Sequence, residues 1–275
     1  MAGTFYLVAT PIGNLQDMTF RAVEILRTVD IIACEDTRHS IKLLNHFRIS
    51  NKLVSYHEHN EHERADELID RMKSGSSVAL ISDAGTPAIS DPGHVIVKAA
   101  IDAGISVVPI PGAAAFVSAA IASGLPVDSL FFGGFLPAKK GDRRRRLEEI
   151  ASVPSTLVLY ESPHRIAVSL ADCAEVLGDR KAVVARELTK LHEEFVRGTL
   201  SELSGIATDQ LSKGELVVVI DRPSEDTVAV DVVSKLAERY ADLINTGVDH
   251  KDALKRAAKE FRIKRADAYR QLQMK

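Results

Sequence analysis

Two polar stretches in the second half of the chain concentrate side chains that can accept, donate or hold a proton. They are YESPHR at 160–165 and ARELTKLHEE at 185–194, and each follows an apolar run typical of a strand. Carboxylates, imidazoles and cations at a strand end can carry acid–base chemistry or hold a polar substrate. Some of them can equally be plain surface charge, an alternative that the pattern leaves open. The side chains concerned are Tyr160, Glu161, His164, Arg165, Arg186, Glu187, Lys190 and His192.

Three turns rich in small residues end apolar runs in the first half of the chain. They are TPIGN at 10–14, SDAGTPAISDPG at 82–93 and PGAAA at 111–115. Glycine and alanine let a ligand approach the backbone, whose N–H and C=O groups can then bind it directly. None of these turns carries a lysine or the G-x-G-x-x-G spacing, so we expect a ligand with a neutral or apolar edge rather than a phosphate. The alternative is an ordinary strand-to-helix connection, but such connections usually have about two to six residues.

Carboxylates also follow two of the apolar runs. The run EDTR places Glu35, Asp36 and Arg38 where they can position a substrate, or pair with one another as a helix cap. Asp91 begins an Asp-Pro-Gly turn and is expected to cap the next helix. Whether Asp83 or Asp91 touches a ligand or only fixes the loop stays open at this stage.

The run HEHNEHE at 57–63 suggests a metal site, because histidines and carboxylates are zinc ligands. Zinc ligands on a helix are usually three or four residues apart, with a distant third ligand. Asn60 followed by Glu63 is instead typical of a capping box at a helix start. We therefore predict no metal site here and expect a polar helix start that faces a cleft.

Alternating strands and helices must position these side chains. Apolar runs predict the strands of the first half, and glycines mark the ends of the helices between them. The predicted strands are FYLVAT (5–10), DIIACE (30–35), LVSYH (53–57), SVALISD (77–83) and SVVPI (106–110). The predicted helices cover 20–29, 62–75, 94–104 and 113–124. This alternation indicates an α/β fold with a mostly parallel sheet, whose ligand loops lie at the carboxyl ends of the strands.

The second half of the chain predicts a mixed sheet and then a helical tail. KAVVARE and EEFVRGTL are separated by only a few residues, which favours an antiparallel hairpin. Strands are predicted at 131–136, 156–162, 181–187, 193–200 and 214–222, and helices at 142–151, 165–177 and 200–213. We therefore expect an N-terminal α/β domain at 1–124, a mixed α/β domain at 125–222, a linker at 223–231 and a helical domain at 232–275.

Two basic segments stand out against the formal net charge of −3. KKGDRRRR at 139–146 carries six basic residues and one acid, and 250–275 carries nine basic residues and three acids. The tail resembles a helix-turn-helix, with Asp252 as an expected helix cap. The same pattern is typical of a packing or dimerisation cap, so nucleic-acid contact is one of two alternatives. We expect 139–146 to be exposed, with a charge that suits an RNA backbone.

Composition and missing motifs exclude several classes of protein. The chain has 275 residues, and no apolar run nears the roughly 20 residues that span a bilayer. Its start, MAGTFYLVAT, lacks the basic segment of a signal peptide. Cys34 and Cys173 make no disulfide framework, so we expect a cytoplasmic protein that does not contact a membrane. The Walker A, G-x-S-x-G and C-x-x-C motifs are absent, which argues against the enzyme classes that those motifs mark.

Taken in order, the motifs TPIGN, EDTR, HEHNE, SDAGTPAISDPG, PGAAA, YESPHR and RELTKLHEE resemble one family. They are similar to the bacterial enzymes that 2′-O-methylate a cytidine of small-subunit ribosomal RNA, within the tetrapyrrole methylase superfamily. The resemblance covers about residues 5–222, and the tail resembles that family's C-terminal helix-turn-helix extension. It implies two α/β domains of the tetrapyrrole methylase type, with S-adenosylmethionine in the cleft between them, and a homodimer. The implied substrate is a cytidine ribose in the decoding region of 16S rRNA, within the small ribosomal subunit.

The resemblance also implies which residues line the donor site. Thr86 stands where many relatives carry aspartate, and Ala114 where they carry serine or threonine, so we expect backbone contacts at both positions. The strand around Glu215 falls where relatives line the same site. The expected donor contacts are Pro11, Asp83, Ala84, Gly85, Thr86, Ile89, Ala114, Ala115, Tyr160 and Leu188.

Methyl transfer to a ribose hydroxyl requires alignment, exclusion of water and help for a poor nucleophile. We hypothesise that Glu187 or Glu161 accepts the proton, and that Lys190, Arg186 or Arg165 holds the nucleotide. The other expected substrate contacts are Glu35, Asp36, Arg38 and His164. Two alternatives stay open: a superfamily methyltransferase that acts on a tetrapyrrole or a modified protein residue, and a non-catalytic nucleic-acid-binding module.

Overall fold

A computed structural model of the chain describes residues 2–224, 236–261 and 263–273. Its first sheet is parallel throughout, in the order β3-β2-β4-β1-β5. The strands are β1 Thr4–Val8, β2 Ile31–Cys34, β3 Leu53–Ser55, β4 Val78–Ile81 and β5 Ser106–Ile110. The helices are α1 Phe20–Thr28, α2 Thr37–His46, α3 Glu61–Lys73, α4 His94–Asp102 and α5 Ala115–Ser123, with a 3₁₀ turn at Leu15–Asp17. The predicted helix-covered parallel sheet is confirmed.

Parallel strands bring the turns that follow them to one edge of the sheet. β1 lies between β4 and β5 and pairs with both. The small-residue turns at 10–14, 82–93 and 111–115 therefore follow three adjacent strands. The strands themselves are held in place by burial, since every residue of β2 and β4 is buried.

The second sheet is mixed, in the order β6-β7-β10-β8-β9. β6 pairs in parallel with β7, whereas β10 is antiparallel to both its neighbours, and β8 with β9 forms the predicted antiparallel hairpin. The strands are β6 Leu130–Phe135, β7 Thr156–Glu161, β8 Lys181–Arg186, β9 Glu194–Thr199 and β10 Leu216–Ile220. The helices are α6 Lys140–Ile150, α7 Ile166–Leu177 and α8 Leu200–Gln210. The expected boundary at 124/125 lies in the connection between α5 and β6.

The two sheets meet through an apolar cluster. Ile12 and Ala119 from the first half pack with Val158 and Val183 from the second. The guanidinium of Arg197 on β9 also donates to two carbonyl oxygens at the end of α5, at 2.8 and 3.2 Å. These contacts fix the two sheets against each other and leave a cleft beside the carboxyl ends of β1, β4 and β5.

Helix α2 is the one helix of the first half that the sequence pattern did not predict. Its sequence, TRHSIKLLNH, is rich in residues of weak helix propensity. Burial of Ser40 and Leu44 outweighs that propensity. Asp36 caps the helix by accepting the N–H of Arg38 at 2.8 Å.

Of two predicted helix caps near the cleft, Asp91 is wrong, whereas Asn60 is the N-cap residue of α3 but forms no capping box. Helix α4 begins at His94 with Gly93 as its N-cap, so Asp91 stands ahead of the helix and does not cap it. Asn60 does precede α3, but its side chain makes no cap hydrogen bond. Its Oδ1 accepts the N–H of His57 instead, at 2.9 Å, because the chain turns back on itself there.

The basic segment 139–146 is largely exposed, as expected, but Arg143 at its centre is buried. Arg143 is 4% exposed, and its Nε donates to the buried carboxylate of Asp172 at 2.7 Å. The reason is that α6 packs on α7, which places the first arginine of the run between the two helices. Each of the three following arginines pairs with a nearby carboxylate. The four arginines are therefore all engaged with carboxylates, whereas Lys139 and Lys140 are exposed and form no ion pair with any residue of the described ranges.

The tail folds around its own core as three helices. Residues 236–245 form α9, followed by α10 His250–Glu260 and α11 Arg265–Gln273. Asp249, not Asp252, caps α10, because the helix begins earlier than predicted. Most of the predicted linker at 223–231, and the first residues of the predicted domain at 232–275, lie outside the described residues. Within the described ranges, no helix has both the length and the apolar character needed to cross a membrane.

Candidate functional site

The three small-residue turns are tied to one another by hydrogen bonds. Thr10 and Gly85 exchange backbone hydrogen bonds at 2.8 and 3.1 Å. The Thr10 hydroxyl donates to the Ser82 carbonyl at 3.2 Å, and the Thr86 hydroxyl donates to the Ala113 carbonyl at 3.2 Å. The hydroxyl hydrogen of Thr86 is therefore already engaged in a hydrogen bond between two of these turns.

The site loops store backbone strain. Ala88 and Ser90 have φ of 65° and 61°, and Glu187 and Thr189 have φ of 52° and 65°. Such left-handed conformations are uncommon outside glycine and concentrate at functional sites. Gly85 has a φ of 81°, a conformation that favours glycine, and a Cβ at this position would lie only 3.3 Å from Ile12. Both loops that face the cleft are thus held in shapes set by tertiary contacts.

A first cavity of about 390 Å³ lies between the two sheets at these loops. It brings together eleven of the residues singled out from the sequence. They are Ala84, Gly85, Thr86, Ile89, Asp91, Ala114, Ala115, Tyr160, Glu161, Leu188 and Glu215. Pro11 and Asp83 lie outside it and line a neighbouring cavity.

Sequence reasoning missed the aromatic wall of the first cavity. Phe116 and Phe135 line it beside Tyr160, and the rings of Phe135 and Tyr160 lie 5.5 Å apart. Phe132 joins this cluster at 4.6 Å from Phe116 and 5.0 Å from Tyr160. The only sequence signal was Phe116 directly after the alanine turn, since Phe135 comes from a strand of the other sheet. Burial raises the pKa of Tyr160.

A half-buried carboxyl group lines the same cavity. Burial raises the pKa of Asp91 to about 6, and the charge of Glu35 raises it further. A hydrogen bond from Ser82 acts in the opposite direction and lowers it. Burial and the nearby charge of Asp83 raise the pKa of Glu35 as well. The Oδ1 atom of Asp83 accepts the N–H of Asp36 at 3.2 Å. This end of the cavity therefore favours positive charge over negative.

The raised pKa of Asp91 makes stability depend on pH. In the folded protein Asp91 keeps its proton up to about pH 6, whereas the ordinary pKa of this carboxyl group is 3.8. Its contribution to folding is therefore full at low pH and is lost as pH rises through about 6. We expect Asp91→Asn to have a higher free energy of unfolding than wild type at pH 8, with the difference vanishing near pH 4. Urea unfolding at several pH values measures this, and a constant difference would contradict it.

Glu161 anchors the loop that closes the cavity. Its Oε1 accepts the N–H of Ser162 at 2.7 Å and the Nε of Arg165 at 2.9 Å, and its Oε2 accepts the hydroxyl of Ser169. Arg165 is thereby engaged with Glu161, and neither His164 nor Arg186 lines this cavity or the neighbouring one. Glu161 is buried and its acceptor atoms are already used.

Glu187, Lys190 and Glu215 form a charged cluster beside the cleft. The Nζ of Lys190 lies 3.0 Å from Glu187 and 3.2 Å from Glu215. Burial of the ammonium lowers the pKa of Lys190, but the contacts with Glu187 and Glu215 have the larger effect, so the pKa is raised overall. The Glu215 N–H and Lys190 hold the pKa of Glu187 below its ordinary value. Gly13 leaves room for this cluster, since a Cβ there would lie 2.6 Å from Lys190 Cγ.

A second cavity, of about 360 Å³, adjoins the first. It lies at the turn after β1, the exposed side of α2 and the Lys190 cluster. Its lining residues are Thr10, Pro11, Ile12, Gly13, Leu15, His39, Lys42, Leu43, Asp83, Ala84, Lys190 and Glu215. Sequence reasoning missed His39, Lys42 and Leu43, because α2 itself was not predicted.

Asp36 and Arg38 are engaged with each other. The guanidinium donates to both carboxylate oxygens, at 3.2 and 2.9 Å, and this holds the pKa of Asp36 at about 2. Of the two interpretations of EDTR, the ion-paired cap is the arrangement found for this pair. Glu35 lines neither cavity, but its charge adds to the burial that raises the pKa of Asp91. In the part of the chain that the structure describes, His, Cys, Asp and Glu side chains form no group of three that could hold a metal ion.

Comparison with known proteins relates this chain to one protein family. Residues 4–204 match the family model of the tetrapyrrole (corrin/porphyrin) methylases. The ribosomal RNA small subunit methyltransferase I of Halalkalibacterium halodurans is 48% identical over 97% of this chain and 93% of its own length. The proteins of the same name are 46% identical in Synechocystis sp. (97% of this chain, 96% of the relative) and 44% identical in Bacillus subtilis (97% and 93%).

Solved structures share the fold at much lower identity. Diphthine synthase aligns with a TM-score of 0.63 and 17% identity, over 83% of this chain and 94% of that one. The cobalt precorrin-4 methyltransferase of cobalamin biosynthesis aligns with a TM-score of 0.58 and 18% identity, over 79% and 94%. These likenesses support the two-sheet architecture.

Proposed function

The chain belongs to the tetrapyrrole (corrin/porphyrin) methylase family, and from that membership we propose that it transfers the methyl group of S-adenosylmethionine to a ribose 2′-hydroxyl, that of a cytidine in the decoding region of 16S rRNA. The relatives that match over nearly the whole chain carry the name of ribosomal RNA methyltransferases. The observation that carries the proposal is the first cavity, an apolar pocket that has no lysine in its described lining and adjoins a second, polar one.

The residues of the first cavity fit this donor. Its volume lies within the roughly 300–1,000 Å³ of small-molecule sites. The backbone at Gly85 and Ala114 can approach the nucleoside closely, and Ile89 and Leu188 supply apolar walls. Asp91 offers a carboxylate to the positive charge of a sulfonium or an ammonium group. Among the residues that the structure describes, no lysine or arginine lines this cavity, which suits a nucleoside without phosphate.

The chain's own residues then have to align the acceptor, exclude water and help the hydroxyl lose its proton. The bound donor supplies an activated methyl group, whose bond to sulfur breaks as the bond to oxygen forms. Lys190 lines the second cavity, and its ammonium lies 3.2 Å from Glu215, which lines both cavities, so it can stabilise negative charge that develops on the ribose oxygen. Glu187 and Glu161 stay candidates for the proton acceptor, although both already accept hydrogen bonds.

We propose that the protein acts in the cytoplasm, on the small ribosomal subunit, as a homodimer. Both cysteines are free and buried, which fits a reducing compartment. Val117 and Ile121 expose apolar side chains on α5, a surface that self-association would cover. Light scattering after size exclusion measures this, and a monomer at micromolar concentration would contradict the dimer.

Calorimetry with S-adenosylmethionine tests the proposed donor, and transfer of a labelled methyl group tests the acceptor. Purified small subunits from cells that lack the gene should accept label, and a reverse-transcription or mass assay should place it on a ribose. A protein that binds RNA but gives no heat with the donor would be a non-catalytic binding module. Label on a tetrapyrrole or on protein, and none on RNA, would support the other branch of the superfamily.

Replacing Thr86 with valine should weaken donor binding about fivefold. The substitution keeps the shape but removes the hydrogen bond to the Ala113 carbonyl that joins two loops of the cavity. Such a bond contributes about 1 kcal/mol, which is close to fivefold in affinity. Calorimetry on Thr86→Val measures the loss, and Thr86→Ser, which keeps the hydroxyl, is the matched control. Equal affinities for the two variants would show that this bond does not shape the site.

A further inference from the structure

The second cavity is built differently from the first. It shares Ile12, Ala84 and Glu215 with the first cavity, so the two cavities meet at those residues. Charged residues from both halves of the chain line it, notably Lys42 from the first half and Lys190 from the second. A group bound there would lie against whatever occupies the first cavity.

One wall of the second cavity is a single face of α2. His39, Lys42 and Leu43 are at positions i, i+3 and i+4 of the helix and therefore project from the same side. The side chain of Lys42 is exposed and forms no ion pair with any residue of the described ranges. Lys190, across the cavity, is held by Glu187 and Glu215. Lys42 is thus the lining cation whose charge is available to a ligand.

We propose that the second cavity holds the acceptor nucleotide and that Lys42 positions it by contacting a phosphate of the RNA backbone. The inference rests on the proposed function, because transfer requires the ribose oxygen to lie within about 3–3.5 Å of the methyl group. An acceptor can meet that condition only from a space that adjoins the first cavity. Pro11, Leu15 and Leu43 give this space an apolar side for the nucleoside, and Lys42 supplies the charge that a phosphodiester requires.

Lys42→Ala is expected to raise the apparent KM for small subunits about tenfold, the effect of losing one charge-assisted hydrogen bond. The dissociation constant of S-adenosylmethionine should stay at the wild-type value, because Lys42 does not line the first cavity. The slope of log KM against log salt concentration should fall by about 0.7 to 1, as expected for one lost phosphate contact. Lys42→Arg keeps the charge, so its KM for small subunits and its salt slope should both lie close to the wild-type values.

Lys52→Ala is the matched control. Lys52 is also exposed and belongs to the same half of the chain, but it directly precedes β3 and so lies at the opposite edge of the sheet. It should behave as wild type. Wild-type KM and salt slope in Lys42→Ala, or equal losses in both variants, would overturn the inference while the proposed function stands. A wild-type protein that methylates no small-subunit RNA would overturn the proposed function and this inference with it.

Discussion

Replacing Ala114 with phenylalanine is expected to weaken binding of S-adenosylmethionine by about a hundredfold or more, close to 3 kcal/mol. Ala114 lies in extended backbone at the N-cap of α5 and lines the first cavity. A larger residue meets no backbone restriction there, but its ring would occupy space that the donor requires. Small-molecule sites bury most of their ligand's surface, so little room is left for both. Calorimetry gives the affinity, and thermal melting shows whether the variant is folded.

Ala171→Phe is the control for the added ring. Ala171 is exposed on α7, and the substitution should leave donor affinity unchanged. A folded Ala114→Phe protein that binds the donor as wild type does would mean that the donor lies elsewhere. Loss of both folding and binding would be resolved with Ala114→Val, for which a smaller loss of affinity is expected.

Replacing Lys190 with alanine is expected to lower kcat about 100- to 1,000-fold, the usual cost of removing a group that stabilises developing negative charge. Its ammonium lies between Glu187 and Glu215 in the second cavity, and these two carboxylates raise its pKa against the effect of burial. Donor affinity should stay within about threefold, since Lys190 does not line the first cavity. Single-turnover methylation of small subunits measures the rate.

Two variants check that the loss comes from the position of the charge. Lys190→Arg should recover part of the rate, because the charge is retained with different geometry. Lys181→Ala removes an exposed lysine at the opposite end of β8 and should act as wild type. If Lys190→Ala keeps its rate but unfolds more easily, the Lys190 cluster is structural only.

The two sheets could be predicted because their strands are marked by local composition. All four residues of β4 are apolar and buried, and polar or glycine residues stand on either side. Helix α2 lacks such a local signal. It is helical because Leu44 and Ser40 pack into the fold and Asp36 caps it. Of these features, only the four-residue spacing of Ser40 and Leu44 is visible in the sequence as a helical pattern. Missing α2 also meant missing the wall that carries Lys42.

The site was predictable where it depends on short turns and not where it depends on long-range pairing. Gly85 and Ala114 were found because runs of small residues are visible in the sequence. Arg143 was misjudged because its partner, Asp172, is 29 residues away. The pKa of Asp91 depends likewise on Glu35, from a different strand end. A run of charged residues in the sequence therefore does not show how those charges are paired, because their partners can lie far away along the chain.

Mapping of 2′-O-methyl groups in 16S rRNA tests the central claim most directly. RNA from cells that lack the gene, from complemented cells and from cells complemented with Ala114→Phe should be compared by mass spectrometry of nuclease fragments. We expect one cytidine of the decoding region to lose its ribose methyl group without the gene and to regain it only with the wild-type protein. An identical methylation pattern in all three RNAs would contradict the account.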